Sequence, residues 1–393
     1  MVGSVKTLPS FLRAGALALA LAGLASCQTD DLKPSSGEVA AAGTAATTVT
    51  DSGLYNQTLG SGPMRIAYLG IRRADQQSRQ ADSEYRDGAA LAVNTLGTEV
   101  VKLTMLETLD KPEAIEAAAK TLARQQVSLI ITTARGAEFD AIQRGLGGLK
   151  VPMISFQTND VPLPPDVYAF VSSPADSLIE SASFAMAEGA THAMILASSP
   201  AEKLEAERIA RQIKAFNGKV EPIVELTGGA LPPKALTSWN KADMVVLMPG
   251  VKSPGEVLKK ADAAKPPRPG RRIVASSVLT PQDLNEPKLT GSIVCRYDQN
   301  VQARIGSRYM ASYGMPASAQ AGYGFDAMAM AIGLARRYGD TAFAPERIMS
   351  PDGFSGSLGV FRLEGERKVR RNCDIFKVAK GSYVFFQKAP PTL

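Results

Sequence analysis

Strand-like and helix-like segments alternate along this chain from residue 64 onward, and this alternation restricts the folds that it can adopt. Short apolar runs at 64–71, 100–108 and 128–133 are separated by stretches at 83–97 and 111–126 whose apolar residues recur at helical spacing. Repeated strand–helix–strand units place parallel strands in one sheet, with helices on both of its faces. We therefore predict an α/β fold built from mainly parallel sheets.

The same alternation resumes after residue 167, which predicts a second α/β lobe joined to the first by several crossovers, near 170–175 and again near Asp298. Long helix-like segments at 300–314 and 318–339 are expected to return to the first lobe. The predicted boundaries assign 64–172 plus 299–345 to lobe 1 and 173–298 plus 346–393 to lobe 2.

Residues 1–26 have the pattern of a bacterial signal peptide. Lys6 and Arg13 accompany an Ala/Leu run of about 12 residues, which is too short to span a bilayer. Residues 24–27, LASC, resemble the lipobox of bacterial lipoproteins, in which the cysteine becomes the lipidated first residue. We predict a lipid anchor on Cys27 in the periplasm, and Gln28 favours the outer membrane over the inner one. An ordinary signal peptide with a chance cysteine is the alternative.

Residues 27–63 are rich in Ser, Thr, Ala and Gly and show neither strand nor helix periodicity, which predicts a flexible tether. At roughly 5–6 Å times √n, such a tether allows the body to lie tens of Å from a membrane. The remaining chain is long enough for two lobes with their own cores. Removal of residues 1–26 lowers the formal charge from +6 to +4, which does not indicate a nucleic-acid partner.

Cysteine and histidine content restricts the chemistry, because the chain has three cysteines and one histidine. With Cys27 assigned to lipidation, Cys295 and Cys373 remain, and in an oxidising compartment they can form one disulfide if the fold brings them together. His192 begins a strand, and no GxSxG or HExxH pattern is present. We therefore predict a protein that is not an enzyme and that has no cofactor and no metal.

The stretch IITTARGAEFDAIQR, residues 130–144, is the best candidate to hold a ligand. A strand ends there in a glycine turn and a helix opens, and the first N–H groups of a helix have no partner within it. Arg135 beside Gly136 can make a two-pronged contact with a carboxylate or phosphate. The alternative is an exposed arginine that pairs with Glu138 or with no other residue. The Lys-Ser/Thr of a phosphate-binding loop is missing, so nucleotide binding is not indicated.

Several stretches of the body resemble the type I periplasmic solute-binding proteins of the leucine/isoleucine/valine-binding class. AGYGFDAMAMAIGLA (321–335) is similar to the family's GYDAV…LA helix, and 354–384 is similar to its closing F.G..G…F…G segment. Residues 168–177 resemble its first crossover, and 129–156 resemble its strand–pocket–helix–strand unit. The resemblance covers 64–393 and implies two lobes with a small solute bound between them for an ABC permease.

In that fold the ligand lies at the carboxyl ends of the strands. By position, the implied ligand-binding residues are Thr133, Arg135, Gly136, Ala137, Gln157, Thr158 and Asn159 in lobe 1 and Gly250, Val251, Ser276 and Ser277 in lobe 2.

The family's amino-acid binders bind the ligand carboxylate with hydroxyls and helix-start amides, and the ammonium with an acidic and an aromatic residue. Here Gly136 and Ala137 replace the serines, and the aromatic near Val251 and the carboxylate near Ser277 are missing. An ammonium group without a carboxylate is costly in a dry cleft. The resemblance therefore implies a ligand of the amino-acid or amide class that is bound in an atypical way.

A second resemblance leaves another function open. Residues 245–261 and 271–298 resemble the second lobe of penicillin-binding protein activator lipoproteins, through Ser276-Ser277 followed by DL at 283–284 and LTG at 289–291. These relatives imply control of a peptidoglycan synthase by protein contact. The basic stretches 259–272 and 366–371 are expected to be solvated loop or hairpin faces, or else docking patches for an acidic partner.

Overall fold

A computed structural model describes residues 48–49, 54–158, 162–297, 299–365 and 367–390. The predicted signal peptide, Cys27 and Asn159 lie outside the described residues. Within the described ranges, no helix is both long enough and apolar enough to cross a membrane.

The strands form two sheets, one for each predicted lobe. In chain order they are β1 (Thr48–Val49), β2 (Tyr55–Leu59), β3 (Met64–Arg72), β4 (Val101–Leu109), β5 (Leu129–Thr132), β6 (Met153–Thr158), β7 (Val167–Val171), β8 (His192–Ala197), β9 (Lys219–Val220), β10 (Val224–Glu225), β11 (Met244–Leu247), β12 (Arg272–Ala275), β13 (Ile293–Arg296), β14 (Phe354–Gly356), β15 (Gly359–Glu364), β16 (Lys368–Arg371), β17 (Asp374–Ala379) and β18 (Ser382–Gln387). The first sheet has the order β1-β2-β4-β3-β5-β6-β7-β16-β15-β14. The second has the order β10-β8-β11-β12-β13-β17-β18, with β9 beside β8.

Both sheets are parallel at their centres; the first is antiparallel at both edges and the second only at the β17–β18 edge. β4, β3, β5, β6, β7 and β16 run parallel in the first sheet, as do β10, β8, β11, β12 and β13 in the second. Central strands such as β5 are buried at every residue, as expected for a parallel sheet covered on both faces. The predicted two-lobed α/β fold class is confirmed.

Helices cover these sheets. They are α1 (Gln76–Ala92), α2 (Pro112–Arg124), α3 (Glu138–Leu146), α4 (Pro174–Ala187), α5 (Pro200–Ala215), α6 (Leu236–Trp239), α7 (Pro254–Ala264), α8 (Pro281–Leu284), α9 (Gln299–Val301), α10 (Ser307–Tyr313), α11 (Ala319–Tyr338) and α12 (Pro345–Ile348). α1 packs against α11 on one face of the first sheet, and α2 packs against α3. Single π-helical turns continue α1 over Val93–Gly97 and precede α10 over Gln302–Gly306.

Glycines bring α1 and α11 unusually close together. A Cβ atom at Gly88 would overlap the carbonyl of Ala321, and one at Gly324 would overlap the carbonyl of Tyr85. The GYGF stretch therefore lets two helices far apart in sequence pack backbone to backbone. This contact fixes α11 on the first lobe, where the sequence places it.

The chain crosses between the two sheets three times. β7 leads into α4, which packs on β12 and β13 of the second sheet; β13 leads back toward α11; and β16 leads into β17. Each crossing follows the carboxyl end of a parallel strand. The carboxyl ends of the parallel strands in both lobes therefore face the junction between them, which is where open α/β sheets bind ligands.

Strands β14 to β16 differ from the predicted boundaries, because 346–393 was assigned to lobe 2. β16 pairs in parallel with β7, and β15 and β14 follow it, so 354–371 extend the first sheet. Phe361, Leu363 and Val369 alternate along this hairpin and join the core under α1 and α11. Of the strands within 346–393, only β17 and β18 belong to the second sheet.

The end of the predicted tether is also a strand. β2 lies within 27–63 and pairs antiparallel with β4, with Leu59 buried at its end. The sequence of β2, YNQTL, has too few apolar residues to show a strand period.

A disulfide joins Cys295 of β13 to Cys373, with 5.6 Å between the two Cα atoms. Both cysteines are buried in the core of the second lobe. The bond ties the third crossing to the end of β13.

Candidate functional site

The threonines at the end of β5, Thr132 and Thr133, bind to the neighbouring strand β3. Thr133 Oγ1 accepts a hydrogen bond from the backbone N–H of Ile71 at 2.9 Å. Thr132 Oγ1 donates to the carbonyl of Leu69 at 2.7 Å. Both threonines are buried, so their hydroxyls fix the end of β5 against β3.

The side chain of Glu138 binds the backbone of the glycine turn and the side chain of Arg73. Its Oε2 accepts from the backbone N–H of Arg135 at 2.9 Å and from Arg73 Nη2 at 2.8 Å. Arg73 also pairs with Asp110 at 3.0 Å, and its side chain is only 5% exposed. Burial alone would lower the pKa of Arg73, but its hydrogen bonds to the two carboxylates raise the pKa above its ordinary value.

The backbone of the turn remains open beyond this contact. Arg135, Gly136 and Ala137 are exposed, and Gly136 has a φ of +54°, with no atom within 4 Å of the place that a Cβ would occupy. Within the described residues, the N–H groups of Gly136 and Ala137 and the guanidinium of Arg135 have no hydrogen-bond partner. Together with the positive end of α3, these groups favour a negatively charged ligand atom.

The end of β6 lies beside this turn. Ser155 Oγ donates to the carbonyl of Ala134 at 2.7 Å and so ties β6 to the turn after β5. Gln157 and Thr158 are half-buried, and Gln157 Nε2 is buried without a hydrogen-bond partner among the described residues. An unpaired buried amide is a donor that a ligand can satisfy.

Asp82 of α1 is a titratable group that the sequence did not single out. Burial raises its pKa to about 7, while the charges of Arg73 and Arg135 act in the opposite direction. Its Oδ2 is buried and has no hydrogen-bond partner within the described part of the chain. Asp82 stands in a polar helix stretch, RQADSEYRD, where no spacing distinguishes it from a solvated residue.

A cavity of about 380 Å³ lies at the carboxyl ends of β11 and β12 in the second lobe. Gly250, Val251 and Ser276, all predicted site residues, line it. Val251 and Ser276 are buried, so they shape the floor of the cavity rather than reach out of it.

Glu202 of α5 holds two loops of the second lobe together. Its Oε2 accepts from the N–H of Ser198 at 2.8 Å and from Ser198 Oγ at 2.6 Å, and its Oε1 accepts from the N–H of Gly250. A Cβ atom at Gly250 would overlap both side chains, so a larger residue here would displace them. The S-x-x-E spacing from Ser199 is the sequence signal that could have marked Glu202.

Ser277 lies outside the cavity lining and contacts the last strand. Tyr383 of β18 donates its hydroxyl to the carbonyl of Ser277 at 3.1 Å. The guanidinium carbon of Arg296 lies 4.4 Å from the centre of the Tyr383 ring. An aromatic ring and a cation therefore reach this part of the lobe from distant strands, although the sequence has no aromatic residue close to Val251.

His192 does not reach these loops. Its Nε2 lies 2.6 Å from Glu221 Oε1 at the amino end of β8, while Ser198 follows the carboxyl end, roughly 20 Å away at about 3.3 Å per residue. Among the described residues, no group of three or more His, Cys, Asp or Glu side chains could hold a metal ion.

Solved structures with the same fold come from bacterial ABC transport systems. A putative branched-chain amino acid ABC transporter protein from Rhodospirillum rubrum matches 82% of this chain and 99% of its own, with a TM-score of 0.64 and 14% identity. A branched-chain amino acid ABC transporter periplasmic ligand-binding protein from Burkholderia xenovorans LB400 matches 84% of this chain and 95% of its own, with a TM-score of 0.57 and 14% identity.

A solute-binding protein of an ABC transporter from Rhodopseudomonas palustris BisB5, in complex with 3,4-dihydroxybenzoic acid, matches 84% of this chain and 98% of its own. Its TM-score is 0.50 and its identity 18%. No family model matches the chain, and no curated protein matches its sequence. These likenesses show that the chain has the two-lobed fold of type I periplasmic binding proteins, as the sequence resemblance implies.

Proposed function

We propose that this chain is a non-enzymatic periplasmic protein that binds a small solute between its two lobes and delivers it to an ABC permease. One observation carries the proposal: the carboxyl ends of the parallel strands in both sheets face the junction that the three crossings define. The loops at these ends contain predicted residues from both lobes: 133–137 in lobe 1, and Gly250, Val251, Ser276 and Ser277 in lobe 2. This arrangement suits a ligand held from both sides.

The ligand carries a carboxylate, because the groups without partners in the turn after β5 and at the end of β6 are donors. Arg135, the N–H groups of Gly136 and Ala137, and Gln157 Nε2 can all face a negative or polar oxygen. An amino-acid ligand also needs a partner for its ammonium. Glu202 has both oxygens bound by the protein, which leaves Asp82 as the carboxylate best suited to that group. This supports an amino-acid or amide ligand with an atypical ammonium site.

The proposed location follows from the sequence of the first 63 residues. Cys27 would be lipidated, and the protein would be anchored to a membrane facing the periplasm, with the outer membrane favoured by Gln28. Labelling of cells with a radioactive fatty acid tests this proposal, since Cys27→Ala should abolish incorporation of the label.

Thermal unfolding tests solute binding directly. The purified protein is heated with amino acids, amides, small organic anions and muropeptides. A ligand at about 100 times its Kd stabilises the folded state by about 2.7 kcal/mol, which raises the Tm by several degrees. We expect one class that carries a carboxylate to produce this shift.

Two arginine variants make the test specific. Arg135→Ala should remove the ligand-induced shift without changing the Tm of the free protein, because the exposed guanidinium makes no hydrogen bond or ion pair within the described residues. Arg308→Ala, at an exposed position on α10, should leave the shift intact. A panel in which no compound raises the Tm would contradict solute capture and favour the cell-wall regulator that the second resemblance implies.

A further inference from the structure

β18 is an open edge of the second sheet. It pairs with β17, and no other strand in the described ranges pairs with it. Three consecutive apolar side chains on this strand are exposed, Val384 by 49%, Phe385 by 56% and Phe386 by 45%. Edge strands with unpaired backbone and apolar side chains are templates for the addition of another strand, and most proteins protect them.

We propose that the outer edge of β18 is a docking surface for an extended acidic segment of a partner protein, which adds one strand to the second sheet. The proposal goes beyond solute binding, because the free edge lies on the side of β18 away from β13, β12 and the cavity. Main-chain hydrogen bonds would supply affinity, and the side chains beside the edge would select the partner.

The charges of the β17–β18 hairpin determine which partner fits. Lys380 and Lys388 are exposed at its two ends, and Lys377 lies half-buried between them. Asp374 is the one acidic residue of the hairpin; it is buried and accepts from the N–H of Ala389 at 2.8 Å. The exposed charges of the hairpin itself are therefore all positive, which favours a strand that carries Asp or Glu.

The aromatic rings of β18 are held in place from inside the lobe. The Phe386 ring packs at 5.8 Å from that of Phe184 on α4, and Lys377 Nζ lies 3.5 Å from the centre of the Phe386 ring. The Phe385 ring packs at 5.8 Å from that of Phe376 on β17. These contacts fix the strand before a partner arrives, so less conformational entropy is lost on docking.

A second copy of this chain fits the edge poorly. Antiparallel pairing of two β18 strands about Val384 would place Lys380 of one copy opposite Lys388 of the other, twice in each pair. Like charges directly opposite one another destabilise such a pairing.

Short peptides test the surface on the full-length protein. A fluorescein-labelled peptide with alternating valine and glutamate is compared with its valine–lysine counterpart by fluorescence anisotropy. We expect the acidic peptide to bind at least about 10-fold more tightly. The acidic peptide with a central proline, which lacks one ladder donor, should bind at least about 10-fold more weakly than the uninterrupted one.

Two substitutions at one exposed position provide the matched variants. Val384→Glu should weaken binding of the acidic peptide about 10-fold, whereas Val384→Lys should leave or strengthen it. Leu204→Glu, at an exposed apolar position on α5, serves as the control and should change nothing. The solute-induced Tm shift should persist in Val384→Glu, which separates this surface from the cleft.

Three results would overturn the proposal. The first is equal binding of the acidic and basic peptides. The second is no binding of the acidic peptide at about 1 mM. The third is a dimer, seen by sedimentation, that Val384→Glu abolishes. The last result would identify a second copy as the occupant.

Discussion

The chain segment that leaves β16 is anchored in two different ways within three residues. On the first-lobe side, Arg371 pairs with Asp326 of α11 at 2.7 Å, and both side chains are fully buried. On the second-lobe side, Cys373 is bonded to Cys295. The first anchor is an electrostatic contact of the folded state, and the second is a covalent link that also restricts the unfolded chain.

The difference shows how each lobe depends on this crossing. Asp326 also accepts hydrogen bonds from the N–H groups of Ser357 and Leu358, so a single carboxylate organises the turn between β14 and β15. The guanidinium carbon of Arg371 lies 4.5 Å from the centre of the Phe361 ring. The first lobe is therefore sensitive to the loss of one charge, and the second is sensitive to reduction.

The largest effect should come from Asp326→Ala. Arg371 would lose its carboxylate in a fully buried position, and we expect the free energy of unfolding to fall by about 3–5 kcal/mol, measured by urea denaturation. Glu364→Ala is the control, since Glu364 pairs with Arg362 and Arg370 in partly exposed positions and should cost less than about 1 kcal/mol. Equal losses in the two variants would show that burial does not set the strength of this anchor.

Sequence reasoning predicted the fold more completely than the side-chain contacts. The strand–helix alternation and the GYGF helix were sufficient to place α11 on the first lobe. The stretch 366–371 was expected to be a solvated face or a docking patch, yet Arg371 is completely buried. Arg371 and Asp326 are 45 residues apart, and only the pairing of β16 with β7 brings them together.

In the candidate site, too, the sequence located the loops but not the side-chain contacts that hold them. The strand ends can be located from sequence because apolar runs end there, so the loops at Thr133 and Gly250 were found. The contacts that hold those loops come from Arg73 and Glu202, and the ring near Ser277 comes from Tyr383. No periodicity joins residues on separate strands, so these partners could not be assigned without the sheet order.

Loss of the disulfide should have the next largest effect. Cys295→Ala together with Cys373→Ala opens a loop between residues 78 apart, and we expect the free energy of unfolding to fall by about 2–4 kcal/mol. A reducing agent should lower the stability of the unmodified protein by a similar amount and leave the double variant unchanged. If the reducing agent destabilises the double variant equally, the disulfide is not the cause.

Substitutions in the second-lobe loops should reduce the stability of the protein less than loss of the disulfide does. Gly250→Ala introduces a Cβ that overlaps Glu202 and Ser198, which should cost about 1–2 kcal/mol and weaken solute binding. Gly333→Ala, on an exposed position of α11 with no atom within 4 Å, should instead stabilise the protein by about 0.5–1 kcal/mol. A Gly250→Ala protein with unchanged stability and binding would show that Glu202 can move away without consequence.

The smallest change in stability should come from Asp82→Asn in the first lobe, and it should depend on pH. Burial raises the pKa of Asp82 to about 7, above its unfolded value of about 3.9, so the folded state prefers the protonated carboxyl. Its contribution to stability is present below about pH 4 and is lost as the pH rises toward 7. Because Asp82 is only half-buried, solvent screening reduces the effect of this shift on stability to about 1 kcal/mol. The Tm of Asp82→Asn should therefore equal that of the unmodified protein at pH 4 and exceed it by about 2–4 °C at pH 8. Asp352→Asn, at an exposed turn position, should change neither value, and an equal gain at both pH values would contradict a raised pKa for Asp82.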